Sequence, residues 1–322
     1  MTTVAESRDV KQIIRSCSFL VEDHPLDRVF IPEEFDEDAR MIGATAREFT
    51  QGSVVPNLEQ LETLDLDLLR KLAGEAGALG LFGVDVPEAW GGFEQSKAVS
   101  MLVAENIAQA GSFQVLHAAQ TGIGTLPLVY FGTKEQKDRY LEKLATGTWV
   151  SAYALTEAGS GSDALAAKTR AVPSEDGEHY VLNGEKMFIT NAGIADLFTI
   201  FAQVVDGDDL KFTAFLVERG QDGLSFGAEE KKMGFKGSST RTVVLQDVQV
   251  PKENVLGEIG RGHVIAFNIL NVGRFKLAAG SVGGGIDAIL SATRYAKQRH
   301  QFGKPLTCLL YTSDAADDLQ PV

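Results

Sequence analysis

The hydrophobic period of this chain changes twice, and that double change constrains its fold more than any single motif does. From Glu37 to about Gly147 apolar residues recur at three and four positions, as in Leu61, Leu64, Leu68, Leu69 and Leu72, and again in Ala104, Ile107 and Ala108. At Trp149 the spacing shortens to two, and β-branched and aromatic residues dominate to about Val250. At Gly262 the helical spacing returns, with Ile265, Ile269 and Val272 on one stripe and Ile286, Ile289 and Leu290 on another, ending near Arg299. Strands that follow one another without intervening helices exclude a Rossmann-type parallel sheet. They predict a helical domain, a β domain and a second helical domain.

Local signals sharpen this division. Thr133-Lys-Glu-Gln136 has the capping-box spacing ahead of Tyr140, Leu141 and Leu144, so a helix is expected to start there. Asn183-Gly184 between His179–Leu182 and Lys186–Thr190 predicts a type I′ hairpin, because Asn-Gly accepts positive φ angles. A second hairpin is expected from Leu197–Val205 and Lys211–Glu218 around Asp206-Gly-Asp-Asp209, and Pro251 is expected to end a strand from Arg241 to Val250. Adjacent hairpins of this kind imply an antiparallel barrel or sandwich. The expected division is an arm over 1–36, a helical domain over 37–148, a β domain over 149–258 and the start of a helical domain over 259–306. After Leu306 the composition shifts to TCLLYTSDAADDLQPV, so residues 307–322 are expected to be a foreign tail on an incomplete third domain.

Composition excludes several function classes. Thirty Lys and Arg against 44 Asp and Glu give a net charge of −14, which argues against nucleic-acid or anionic-membrane binding. Between Glu258 and Asp314 the only acid is Asp287, and the intervening bases suit either a small anion or an acidic partner subunit. Cys17 and Cys308 are far apart and the His spacings match no zinc site, so neither a disulfide framework nor a metal centre is expected. No apolar run suits a membrane span and the N-terminus lacks a signal-peptide core, which makes a cytoplasmic location the expectation.

Four stretches carry candidate chemistry. Thr156-Glu-Ala-Gly-Ser-Gly-Ser-Asp163 follows a strand and collects hydroxyls, glycines and free backbone N–H groups, which suits a polar ring system or a phosphate; a long β-turn reads equally well. Phe188 and Thr190, two apart on a strand, would share one face and pair a stacking surface with a hydroxyl; a core Phe beside a surface Thr reads equally well. Asn271 and Arg274 are one helical turn apart and can reach one ligand. Arg299-His-Gln-Phe-Gly-Lys304 offers a cation, an amide and an aromatic for a phosphate and a stacked base. The glycines of Gly122-Ile-Gly124 and Gly280–Gly285 lack the context of a nucleotide loop and are expected to serve close helix packing.

Taken in order, Tyr153–Asp163, Asn183–Asn191, Glu230-Lys-Lys-Met-Gly234, Val250–Gly257, Asn271-Val-Gly-Arg274 and Arg299–Gly303 resemble the acyl-CoA dehydrogenase family, and more closely its very-long-chain branch, from about Phe35 to Leu306. The resemblance implies an α+β multidomain fold: an N-terminal helical domain, a middle antiparallel β-barrel domain and a C-terminal helical bundle, incomplete here. It implies FAD as cofactor, held by Tyr153, Leu155, Thr156, Gly161, Ser162, Phe188, Ile189 and Thr190, with Thr190 on flavin N5. Arg299 and Gln301 would bind the FAD of a neighbouring subunit, hence a homodimer or homotetramer. Ser162, Asn271 and Arg274 would contact the fatty acyl-CoA substrate, and an electron-transfer flavoprotein or similar acceptor would take the electrons. Glu157 would serve structure.

The family's catalytic base is a glutamate, placed in most branches late in the third domain and in some immediately before the arginine matching Arg274. That second position is Gly273 here. The sequence is therefore expected to lack a base and to be a truncated, inactive member of a family that forms trans-2-enoyl-CoA in fatty acid β-oxidation. The alternatives are an acyl-CoA oxidase of the same fold and a non-catalytic flavin- and CoA-binding assembly module. Ala118, Ala119, Gly122 and Gly124 before Pro127 suit either room for a long acyl chain or close helix packing.

Overall fold

The structure, a computed structural model, describes residues 18–25 and 29–309. The expected arm as far as Cys17 and the tail from Leu310 lie outside the described residues. Two compact units divide the chain, residues 1–41 and 42–322. In the first, single 3-10 turns form at Ser18–Leu20 and Pro32–Glu34, and Phe30 meets Phe35 edge-on at 5.0 Å between ring centroids.

The helical segment comprises α1 (Glu37–Phe49), α2 (Leu58–Leu61), α3 (Leu66–Ala78), α4 (Lys97–Ile107), α5 (Ser112–Ala118), α6 (Leu126–Phe131) and α7 (Lys134–Ala145). Side chains start α3 and α7, the second as the sequence signals. Asp65 accepts the Leu68 amide of α3 at 2.9 Å, and at α7 Thr133 Oγ1 accepts Gln136 N at 3.2 Å while Gln136 Oε1 accepts Thr133 N at 3.0 Å. Between α5 and α6 the chain runs as a π-helical turn, Ala119–Gly124, where a Cβ on Gly124 would lie 2.2 Å from Ser151 Oγ. Close packing is the role of that glycine.

The β segment comprises β1 (Ser151–Ala154), β2 (Arg170–Pro173), β3 (His179–Thr190), β4 (Leu197–Asp206), β5 (Asp209–Glu218), β6 (Leu224–Glu229), β7 (Thr240–Pro251) and β8 (Val255–Leu256). The pairing path is β6-β7-β3-β2-β4-β5-β8, with β1 also on β4. This corrects the expected barrel, because β6 and β8 do not pair and the sheet stays open. It is also mixed, since β1 and β2 both run parallel to β4. Leu197–Val204 of β4 is buried without alternation, as a strand covered on both faces must be. The hairpin at Asp206–Asp209 forms as expected, with Gly207 at φ 61°.

No hairpin forms at Asn183-Gly184; β3 runs through it. The extended β7 pairs on both sides, Leu182 with Val248 and Gly184 with Leu245, and the extra residue bulges on β7, where Asp247 has φ 54°. Asn183 stabilises that bulge by donating Nδ2 to Asp247 Oδ1 and accepting Asp247 N, each at 2.9 Å. Gly184 is required at φ 153°, because a Cβ there would lie 2.5 Å from Thr169 Oγ1. Asn and Gly thus answer a neighbouring strand instead of turning their own.

The third segment is one 37-residue helix, α8 (Gly262–Gln298), followed by the two-residue strands β9 (His300–Gln301) and β10 (Lys304–Pro305). Its first half packs into a core shared with both preceding segments: Ile265, Ala266 and Ile269 join Leu141, Leu144 and Phe201. Gly280 and Gly283 bring it close to α5 and α4, where Cβ atoms would meet Gln114 Nε2 at 2.8 Å and the Glu105 carbonyl oxygen at 2.1 Å. Ile286, Ile289 and Leu290 are exposed. Among the described residues no helix is long and apolar enough to cross a membrane.

Candidate active site

A cleft of about 520 Å³ opens between the α5–π wall and α8. Val115, Ala118, Ala119 and Ile123 line one side, and Leu270, Gly273, Leu277 and Gly280 the other. Thr190 at the end of β3 and Phe235 in the β6–β7 loop complete it, and its polar groups are Gln114, His117, Thr190, Arg274 and Lys276. An apolar trough with a few convergent polar groups suits a long aliphatic ligand with one reactive polar end. Among the described residues lining it there is no carboxylate.

Behind this lining lies a buried ionic cluster. Lys276 Nζ donates to Asp85 Oδ2 at 2.7 Å and to the Thr121 carbonyl, within the π-helical turn, at 2.9 Å. Ser100 Oγ donates to the same Asp85 oxygen at 2.6 Å, and Lys97 pairs with the other. Burial raises the Asp85 carboxyl, but the two ammonium groups outweigh it and hold the acid below its usual range. His117 Nε2 donates to the Leu81 carbonyl at 3.2 Å; burial, reinforced by nearby Lys276, pushes it down to about 3, so the ring is neutral.

The Thr156–Asp163 loop is braced from below and open above. Glu157, itself buried, accepts Lys168 N at 2.6 Å, Thr169 Oγ1 at 2.6 Å and Lys186 Nζ at 2.7 Å. Lys186 also donates to the Leu155 carbonyl at 3.2 Å, and Met187 N to that of Thr156 at 2.8 Å, so the loop is fastened to β3. Cβ atoms on Gly159 and Gly161 would meet nothing within 4 Å, and among the described residues no group accepts the N–H of Gly161 or Ser162, both exposed.

The structure brings together only some of the residues singled out in the sequence. Thr190 and Arg274 line the cleft, whereas Phe188 does not. β3 bulges between Lys186 and Ile189, where Phe188 takes φ 58° and is 58% exposed, while the next residue, Ile189, is buried. Asn271 lies outside the lining, and Arg274 donates to its amide oxygen. The Tyr153 side chain is buried against Phe201 with its hydroxyl 3.3 Å from the Ala266 carbonyl, and Ile189 and Leu155 are also buried, so these three face the protein interior. Arg299 and Gln301 are exposed beyond the end of α8. Of the bases after Glu258, Lys276 turns inward. Sequence reasoning missed Asp85, His117, Gln114 and Phe235. A lone acid in the apolar run Leu81–Val86 was the available signal for Asp85.

The acyl-CoA dehydrogenase N-terminal, middle and C-terminal domain families match residues 36–148, 152–248 and 260–309. A probable acyl-CoA dehydrogenase of Bacillus subtilis is 50% identical over 296 residues, covering 92% of this chain and 49% of its own length. The mitochondrial very long-chain specific acyl-CoA dehydrogenase of Macaca fascicularis is 42% identical over 77% of this chain and 38% of its own. Among solved structures, an acyl-CoA dehydrogenase complexed with FAD from Bacillus anthracis superposes with a TM-score of 0.90 at 50% identity, covering 94% of this chain and 51% of that one. The chain therefore spans about half the length of these relatives.

Proposed function

The chain belongs to the acyl-CoA dehydrogenase family, and we propose that the protein binds FAD and desaturates a fatty acyl-CoA to its trans-2-enoyl thioester, as in fatty acid β-oxidation. The observation that carries this reading is the convergence of Thr190 and Arg274, from two distant motifs, on one apolar cleft.

The residues present fit a flavin. The free N–H groups of Gly161 and Ser162, the open space over Gly159 and Gly161, and an exposed aromatic ring at Phe188 held at positive φ form a polar cradle beside a stacking surface. Bound FAD supplies the acceptor for the electron pair and hydrogen leaving the substrate's β-carbon. Gly161 and Ser162 would hold the ring's polar edge or a phosphate through their backbone. Thr190 would donate its hydroxyl at the reacting edge of the ring. Tyr153, Leu155 and Ile189 act by packing the strands beneath, and Thr156 through its backbone. Ser162 and Arg274 would hold the polar end of the acyl-CoA, with Asn271 orienting Arg274. The apolar walls exclude water, which strengthens hydrogen bonds to a thioester carbonyl as enolate charge develops.

Arg299 and Gln301, both exposed, would reach the FAD of a neighbouring subunit in a homodimer or homotetramer. An electron-transfer flavoprotein or similar acceptor would reoxidise the flavin, and resemblance to the very-long-chain branch favours long acyl chains. The lack of a carboxylate in the described lining favours a second reading for the polypeptide of this sequence, namely binding without turnover.

Anaerobic mixing of the FAD-loaded polypeptide with a saturated acyl-CoA tests both. Bleaching is expected on the first reading and a perturbed flavin spectrum without bleaching on the second, where Gly273→Glu, whose Cβ would meet only Ile123 at 3.5 Å, should confer bleaching. No spectral response to any acyl-CoA would overturn the acyl-CoA site; bleaching by the unaltered chain would show that a base is present.

A further inference from the structure

Lys276, bridged to Asp85, lines two cavities. On one side is the 520 Å³ cleft; on the other is a pocket of about 180 Å³ lined by Met101, Val272 and Phe275 with Lys97, Ser100 and Lys276. With 3.6 residues per turn, Gly273, Leu277 and Gly280 of α8 point to the cleft, and Val272 and Phe275 point to the pocket. Lys276 falls on the seam and lines both. Its Nζ is fastened to Asp85 and to the Thr121 carbonyl, and its Cδ would be only 3.8 Å from a Cβ on Gly122 in the opposite wall. A side chain 4% exposed and bonded at its tip cannot swing aside without leaving buried charge unpaired, so it forms a fixed wall.

We propose that the Lys276–Asp85 bridge is a specificity-determining partition that keeps the acyl cleft narrow, admitting straight chains and excluding acyl groups that carry a ring or branch at its level. This rests on reading the cleft as the acyl site. Removing the Lys276 side chain would join the small pocket to the cleft, and an apolar space of about 150 Å³ is enough to hold a benzene-sized group. The second lysine makes the substitution tolerable, because Asp85 keeps Lys97 and Ser100 as partners.

The test is calorimetric binding of straight-chain acyl-CoA thioesters and of ω-phenylalkanoyl-CoA thioesters of increasing length to the FAD-loaded protein. Lys276→Ala should improve binding of the ring-bearing thioester, relative to the straight chain, by tenfold or more at the length where the ring reaches the bridge. Lys276→Met, which keeps the bulk, should retain the original ratio whatever happens to absolute affinity. If Lys276→Ala does not fold, the paired variant Asp85→Asn/Lys276→Ala carries the same expectation. A ratio unchanged across the series in a folded variant overturns the partition alone. Failure of both variants to fold also overturns it, since the bridge would then be a requirement of the fold. If the unaltered protein binds no straight-chain thioester, the acyl-site reading falls and the partition with it.

Discussion

Glu157 and Lys186 meet at 2.7 Å with the lysine wholly buried, and this ion pair fastens the Thr156–Asp163 loop to the strand that ends in Thr190. The two side chains come from motifs that look independent in the sequence, yet one holds the other's backbone in place. Burial raises the Glu157 carboxyl, but bonds from Lys186, Thr169 and Lys168 overcome this and hold it ionised below its usual range.

Lys186→Met should therefore destabilise the protein by about 3–5 kcal/mol, because it strands a buried carboxylate. Glu157→Gln/Lys186→Met should lose less than the sum of the two single variants, since each single change leaves the other partner unpaired. Urea unfolding of the three variants measures this, and additive losses would show that the pair is not coupled.

Gly184→Ala should lower the unfolding midpoint as well. Its Cβ would sit 2.5 Å from Thr169 Oγ1 and 2.8 Å from Thr169 Cα, at a φ of 153° that only glycine adopts easily. Displacing Thr169 also removes a hydroxyl from Glu157. Overpacking alone costs about 1–3 kcal/mol. An unchanged midpoint would mean that the sheet yields at this point.

His117 predicts an acid-sensitive fold. The native ring stays neutral down to about 3, whereas the unfolded ring protonates near 6.5, so the unfolded state binds more protons between these values. Stability is fully present above pH 6.5 and falls by up to about 1.4 kcal/mol per pH unit as pH drops towards 3. The diagnostic window is pH 5–6.5, where carboxylates titrate little. Unfolding free energies measured there should show a slope that His117→Gln lacks; parallel slopes would refute a neutral buried histidine.

Thr190→Val should slow flavin reduction more than it weakens FAD affinity, measured on protein that reduces its flavin. One hydroxyl bond contributes about 0.5–1.5 kcal/mol, small beside the contacts of a dinucleotide but felt in full where the ring gains charge. Equal losses in rate and affinity would remove Thr190 from the reacting edge.

Arg299→Ala should leave the fold of a single copy intact, since the side chain is exposed, yet lower FAD retention on dilution together with the assembly state. A lost charge-assisted contact costs about 1.5–3 kcal/mol. Sedimentation and bound-flavin absorbance at low micromolar protein would settle it; retention of both would confine Arg299 to the surface.

Features that depend on neighbours in sequence were legible without a structure. Period changes at Trp149 and Gly262 mark where β1 and α8 begin because helix and strand each impose their own spacing on a buried face. Thr133 and Gln136 cap α7, and Gly207 turns β4 into β5, because both devices are complete within four residues. The motifs carrying Thr190 and Arg274 likewise pointed to one site.

Tertiary structure decided what depends on a distant partner. Asn183-Gly184 has the local chemistry of a turn, but the long β7, the Asp247 bulge and the closeness of Thr169 hold it in mid-strand. The sheet is open because β6 and β8 do not pair, and mixed because β1 and β2 align with β4, choices that no local pattern encodes. Phe188 takes a positive φ because the pairing of β3 with β7 inserts one residue between Lys186 and Ile189. Lys276 reads as one more base on a helix, and only the packing of α8 against Asp85 and Thr121 buries it. Burial of a charge is set by what lies across the core, and a sequence lists residues without saying which of them will face each other.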